Sequence, residues 1–357
     1  MNDQPEKNVP GVCNTPVQNT CPTGQRSLVD WFSSTFSVGG VPPHEILKLI
    51  GLDSSDFDDT FGLQGYSKGL IYNGIKLYYK EENEMFFYWL DISGTGCRFY
   101  ETITDFTWFD LFDTMRSLKA SITRLDLAVD DFDGIIKLTK LNYYTENDMI
   151  RTRFESYREF KKKNIQTKQL LGHTLYYGSE QSNIQIRFYD KKLERENKAK
   201  KQVTVNHWVR CEMQLRNERA DQAVNHIING RDVGYISKAI LLNYIKFVTK
   251  GNDTNKARWK LAKWYDDFLG KVEPLKLSVK APDATIEKTI QWVSNQVAPA
   301  LTAIVKAMND DKTIIDDFLL QGEERLSKKH KMMIDQYKKN HPQMNVDDDV
   351  KPEDFLN

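Results

Sequence analysis

The sequence predicts an α+β fold, an antiparallel β-sheet core with flanking helices followed by a helical C-terminal part. Three observations carry this expectation. Runs rich in aromatic and β-branched residues recur before residue 216, several of them joined by short turns as in hairpins. Three of those runs offer one apolar and one charged face, the pattern of an antiparallel sheet covered on one side. Beyond Gly230 the spacing of apolar residues becomes mostly helical.

The elements follow in order. "SLVDWFSSTF" alternates as a strand, and "PPHEILKLIGL" has helical spacing at Ile46, Leu49 and Ile50 with a glycine past its end. After a Gly-rich turn region, "GIKLYYK" and "MFFYWLDIS" form a hairpin around "EENE". "GTGCRFYE" reads as a tight loop leading into a strand. "DFTWFDLFDTMRSL" is an amphipathic helix with Phe106, Phe109, Phe112 and Met115 on its inner face. "SITRLDLAVDDF" is a strand, and residues 147 to 170 read as helical and then basic. "GHTLYYGS" and "NIQIRFYDKK" make a hairpin at Gly178, and "HWVRCEMQLRN" is a strand entering helix "ERADQAVNHIIN". A long helical pattern from Ile286 to Ile304 follows, kinked or broken at Pro299. The expected organisation is a loosely held arm (1–25), a catalytic domain (26–270), a helical region (271–340) and an acidic disordered tail (341–357).

The chain has 357 residues, 28% of them charged and 40% hydrophobic, enough for one large or two moderate cores. No apolar run is long enough to span a bilayer and no secretory pattern opens the chain, so a soluble cytoplasmic protein without a membrane partner is expected. Four cysteines, without a CxxC pair or zinc-finger spacing, point to reduced thiols. The net charge is zero, but residues 151 to 201 hold fourteen Lys/Arg against six Asp/Glu, and residues 101 to 134 hold eight acids against three bases. Cationic and anionic segments side by side suit a metal-assisted site for a polyanion as well as an ordinary solvated surface.

Strand parity locates the chemistry. A period of two puts Arg124, Asp126, Ala128 and Asp130 on one face of their strand, Gln185, Arg187 and Tyr189 on one face of the next, and Arg210, Glu212 and Gln214 on one face of the third. If the three faces share one side of a sheet, carboxylates, arginines and a phenol meet. Carboxylates suit a hard divalent cation, Mg²⁺ or Mn²⁺. Arginines grip phosphate oxygens, and Tyr189 can attack a phosphodiester to leave a phosphotyrosine and a free hydroxyl. Arg187 then reads as a phosphate clamp or as the salt-bridge partner of a neighbouring acid, and Lys191 as a partner for an attacking or departing oxygen or as an ordinary basic residue after a strand. Lys192 and the "REFKKKN" run with Lys161, Lys162 and Lys163 read as DNA-tracking cations or as ordinary solvated charge. Arg210 either touches DNA or, like Arg124, orients carboxylates.

"TRLDLAVDDF", "TLYYGSEQSNIQIRFYDKKLE", "WVRCEMQLRNERA" and "SGTGCRFYE", in this order, resemble the replication-initiation-factor family of Gram-positive rolling-circle plasmids and mobile-element relaxases. The likeness spans about residues 26 to 270, and "WYDDFLGKVEPLKL" with the following helical stretch is similar to the extension of Tn916-type element relaxases. The resemblance implies a site-specific single-strand DNA nickase and ligase that starts conjugative transfer or rolling-circle replication. Tyr189 would be its nucleophile and Asp126 and Glu212 its acidic metal positions. Parity favours Asp130 over Asp131 as a third. A host helicase and mobile-element accessory proteins are the implied partners, and the oligomeric state is left open, a dimer among the options. The chain lacks the His-hydrophobic-His metal motif of other relaxases. Its six histidines read as structural or surface, with His173 and His207 alone flanking motif strands. Tyr176 and Tyr177 are candidates for stacking on unpaired bases, with core packing expected for at least one. Trp31, Trp89, Trp108 and Trp208 are assigned to the core. Two other readings stay open: an origin-binding protein that does not cut, and a metal nuclease in which water attacks.

Overall fold

The structure, a computed structural model, describes residues 24–199, 203–277, 286, 289–290, 293–326 and 328–341. The arm assigned to 1–25, with Cys13 and Cys21, and the acidic tail lie almost wholly outside these residues. Two compact units meet in sequence at Ser278/Val279.

In the first unit, β1 (Gln25–Gly39) is followed by α1 (Pro43–Leu49), β2 (Asp58–Phe61), β3 (Lys68–Tyr72), β4 (Ile75–Glu82) and β5 (Met85–Ile92). Next come α2 (Gly94–Ile103), α3 (Trp108–Ser117), β6 (Ser121–Asp131), α4 (Leu138–Glu146), β7 (Ile150–Thr152), β8 (Tyr157–Lys163) and β9 (Leu170–Tyr177). The chain continues through β10 (Ile184–Asp190), α5 (Lys191–Ala199), β11 (Val209–Arg216), α6 (Glu218–Ile228), α7 (Val233–Tyr244), β12 (Ile245–Phe247) and α8 (Lys263–Leu269). Ten strands form one sheet in the order β2-β3-β4-β5-β1-β6-β11-β10-β9-β8, and β7 pairs with β12 in a second. All the pairings are antiparallel. The expected α+β class with an antiparallel core is the observed one.

The alternating strands bury one face as expected. Leu125, Leu127 and Val129 of β6, Ile184, Ile186 and Phe188 of β10, and Cys211, Met213 and Leu215 of β11 join a single core. Residues of α1, α2, α3, α4, α6, α7 and α8 complete it. Phe32 of β1, for example, meets Phe112 of α3 at 5.1 Å between ring centroids.

Four local expectations are corrected. "GTGCRFYE" is not a loop: it forms most of α2, whose N-cap Ser93 accepts from the Gly96 amide. A Cβ on Gly96 would lie 2.3 Å from the Gly74 carbonyl oxygen, so glycine is there for close packing rather than for a turn. In α3 the buried residues are Leu111, Phe112 and Met115, while Phe106 and Phe109 are 37% and 44% exposed. The stretch 147 to 170 holds strands β7 and β8; the helix lies earlier, as α4. The Gly-rich region before β4 holds two further strands, β2 and β3, on the far edge of the sheet.

In the second unit, helices occupy Ala298–Ala307, Thr313–Glu323 and Lys328–Asn340. Pro299 lies in the first turn of the first of these, just after a π-helical turn at Val293–Val297, where its missing amide costs nothing. No helix among the described residues is long and apolar enough to cross a membrane.

Candidate active site

Strand register assembles the polar face. Tyr189 of β10 pairs with Arg210 of β11, which pairs with Asp130 of β6, which pairs with Arg26 of β1. The next row runs Arg187, Glu212, Ala128 and Leu28, and the one after it Gln185, Gln214, Asp126 and Trp31. Directly opposed residues in an antiparallel pair point the same way, so these side chains share one face of the sheet.

The phenol is enclosed. Tyr189 is 8% exposed, and its hydroxyl donates to Glu212 Oε2 at 3.0 Å. Lys191, the first residue of α5, reaches back so that its Nζ lies 3.3 Å from the Tyr189 hydroxyl oxygen and 2.6 Å from Glu194 Oε2. Arg187 donates to the other Glu212 oxygen and lies over the Tyr189 ring at 5.3 Å. Burial first, and then the Glu212 charge, push the phenol well above its ordinary pKa. Burial and the neighbouring Arg210 pull the Lys191 ammonium down.

Asp126 is buried and accepts from Arg124 at 2.6 and 2.9 Å. Arg124 in turn lies 4.1 Å from the centroid of the Trp31 ring. Despite that arginine, burial together with the Glu212 charge pushes the Asp126 carboxyl up to about 7. Each acid already holds an arginine, yet the two buried carboxylates still repel each other, so further positive charge beside them is favoured. Oxygen donors of this kind suit a hard cation such as Mg²⁺, which binds through one or two carboxylates and takes its remaining ligands from water and phosphate. Among the described residues no three His, Cys, Asp or Glu side chains form a ready metal cage.

Asp130, expected as a metal ligand, instead anchors arginines. Arg210 Nε and Nη2 donate to its two oxygens at 2.6 and 2.9 Å, and Arg26 Nη2 donates at 2.6 Å. Burial would raise this carboxyl, but Arg210 and Arg26 hold it down at about 2. Asp131 faces the other way and accepts from the amides of Asp133 and Ile136, closing the turn after β6. Arg210 is 3% exposed, with its third donor on Asp30 Oδ1 at 2.7 Å. It is therefore an orienting group inside the sheet face rather than a surface contact for DNA.

Sequence reasoning missed Asp30. Val29 pairs with Leu127 and Trp31 with Asp126, so Asp30 is an extra residue, a β-bulge. The bulge lets Val29 and Phe32 both face the core, and it sends Asp30 to Arg210. The signal was the broken alternation of "LVDWF". The same break explains why Trp31 is only half-buried, donating to Asp91 Oδ1 at 2.9 Å, instead of belonging to the core. Trp208 is buried as expected, in a small separate cluster with Phe132 and Val205. Tyr177 is a core residue, whereas Tyr176 shares the polar face with Arg187. His173 faces the core side with Leu175 and Tyr177 and bonds Glu159, away from the phenol. His207 lies 3.5 Å from Asp131. Lys161, Lys162 and Lys163 lie on exposed edge strand β8, and Lys192 lies in α5.

Comparison with known proteins places the chain in a family. Residues 27–114 match the family model "Rolling Circle replication initiation protein N-terminal domain", and residues 120–319, more than half of the chain, match "Replication initiation factor". A Bacillus subtilis (strain 168) protein named "Putative DNA relaxase NicK" is 29% identical over 328 residues, covering 87% of this chain and 89% of that one. The solved structure of a rolling circle replication initiator protein from Geobacillus stearothermophilus is 33% identical, with a TM-score of 0.62 over 71% of this chain and 99% of its own. With both halves of the sheet matched, and the strands that carry Asp126, Tyr189 and Glu212 all inside the longer match, the chain belongs to the replication initiation factor family.

Proposed function

We propose that the protein is a site-specific single-strand DNA nickase and ligase in which Tyr189 is the nucleophile. The observation that carries this is the Tyr189 hydroxyl donating to Glu212, on a face crowded with arginines. Glu212 takes the phenolic proton as the tyrosine oxygen forms a bond to a DNA phosphorus and the phosphorus–oxygen bond to the neighbouring nucleotide breaks. Lys191 stands beside the attacking oxygen and stabilises its developing charge. Arg187 is placed to hold a non-bridging phosphate oxygen. The departing oxygen takes up a proton from solvent, so the products are a phosphotyrosine and a free hydroxyl, and reversal reseals the strand. A divalent cation held by Asp126 and Glu212 would supply Lewis-acid polarisation of the phosphate and offset the charge that keeps the phenol protonated. Asp130, Arg210, Arg26 and Asp30 form the rigid frame behind these groups.

The role that fits best is a relaxase starting conjugative transfer of a mobile element from the cytoplasm, with a host helicase and element-encoded accessory proteins. The relaxase-named relative is matched over 87% of this chain, the initiator structure over 71%. The second reading, a plasmid replication initiator, rests on that initiator's full-length match. Mobilisation of a marked circular DNA carrying the candidate origin, set against its copy number, separates the two.

The decisive experiment is a denaturing gel with labelled origin DNA. The native chain should carry the label covalently, and Tyr189→Phe should lose adduct and nicking together while still binding DNA. Nicking by Tyr189→Phe would overturn the proposal in favour of water attack. Binding without nicking by the native chain would favour a non-cutting origin binder.

A further inference from the structure

Phe160 is a large apolar side chain left in the open on a cationic strand. The row of paired residues Tyr189, Thr174 and Phe160 crosses β10, β9 and β8, which places Phe160 two strands, about 10 Å, from the phenol on the same face. It is 56% exposed. The adjacent row is Arg187, Tyr176 and Arg158, with the Arg158 guanidinium 5.3 Å from the Tyr176 ring centroid. On the far side Lys162 pairs with Gly172, which puts no side chain beside it. Arg158, Phe160 and Lys162 therefore share the face of Tyr189. Their neighbours point the other way: Lys161 Nζ lies 2.6 Å from Glu159 Oε1, and that oxygen also meets His173. The "REFKKKN" run is thus two surfaces, and only one of them is continuous with the site.

We propose that Arg158, Phe160, Lys162 and Tyr176 form a seat for the unpaired stretch of DNA next to the scissile phosphate. An aromatic ring flanked by cations and continuous with a phosphate-handling site fits single-stranded nucleic acid, whose bases stack and whose backbone is anionic. One base stacks on Phe160, and the adjoining phosphates lie along Arg158 and Lys162. The inference rests on the nickase reading for its location, but its contacts can be measured without any chemistry.

The test is anisotropy of fluorescein-labelled oligo(dT) over a salt series, with the full chain carrying Tyr189→Phe so that no strand is cut. Phe160→Ala should weaken binding about tenfold, the scale of one lost base-to-ring stack. Phe160→Trp should restore it, and Phe160→Leu should not. Lys162→Ala should lower the slope of log K against log salt by about 0.7, the share of one phosphate contact on single strands. Lys161→Ala should change it less. Equal effects at Lys161 and Lys162, or unchanged binding by Phe160→Ala, would overturn the seat. Phe160→Ala that dissolves a dimer without touching DNA affinity would overturn it too, by making β8 a contact between copies. Because the adduct gel is read with Tyr189 intact, the two ideas fail separately. A missing adduct with a preserved Phe160 effect removes the tyrosine chemistry alone, and the converse removes the seat alone.

Discussion

Tyr189 and Glu212 sit on adjacent antiparallel strands as diagonal neighbours, and the phenol hydroxyl donates to the carboxylate at 3.0 Å. Each is opposed directly by an arginine: Tyr189 by Arg210 and Glu212 by Arg187. The pair is thus a hydrogen-bond donor and acceptor held in register by backbone hydrogen bonds, with Arg187 and Arg210 at the ends of the crossing diagonal. Glu212→Gln should slow nicking by about 100- to 10,000-fold, the span of a lost general base. DNA affinity should change little. Single-turnover rates on labelled origin DNA measure the loss. The same substitution removes a charge that disfavours the phenolate, so ultraviolet titration should show the Tyr189 pKa falling toward its ordinary value.

Asp126 predicts an effect on stability that depends on divalent cation. Its carboxyl is buried beside Glu212 and resists ionisation, so without divalent cation Asp126→Asn should melt no lower than the parent. Mn²⁺ or Mg²⁺ should raise the melting temperature of the parent through binding to the folded state. Asp126→Asn should lose that rise, and chelator should stop nicking by the parent. Thermal unfolding with and without cation reads the first two outcomes, and a mutant that responds to cation as the parent does would place the ion elsewhere.

Asp130 should act as part of the frame. Asp130→Asn leaves the Arg210 guanidinium buried with only Asp30, and should cost about 3–5 kcal/mol in urea unfolding.

The same carboxyl sets a pH window. It titrates at about 2 in the folded chain against roughly 4 when unfolded. Its contribution is therefore complete well above pH 4 and disappears as pH falls through 2, amounting to about 3 kcal/mol. The parent should show this loss on acid titration of stability, and Asp130→Asn should be flatter across that interval.

How much of this was readable from residues alone depended on whether period two held. In β6, β10 and β11 it holds without interruption, so Asp126, Tyr189 and Glu212 could be placed on one face before any coordinates. The partner of each acid could not. Asp130 and Asp126 occupy equivalent positions in the pattern, and only the neighbouring strands decide that the first meets Arg26 and Arg210, while the second meets Arg124 of its own strand and lies opposite Trp31. Strand β8 was obscured because an edge strand exposed on both faces has no apolar alternation to display. Helix α2 was obscured because its two glycines look like turn residues, when Gly96 is needed for contact with Gly74.

The extra residue at Asp30 works as a phase shifter. Before it, odd-numbered Val29 looks inward; after it, even-numbered Phe32 does, and Trp31 is released to the polar side. Excising that single position would leave Val29, Trp31 and Phe32 in plain alternation against Leu127, Asp126 and Leu125, so the indole would stay on the polar side and Arg210 alone would lose a carboxylate. Keeping Asp30 in a strand without the bulge would instead carry the indole into the apolar layer and Phe32 toward the acids, so the bulge is what admits the extra carboxylate without turning its neighbours over.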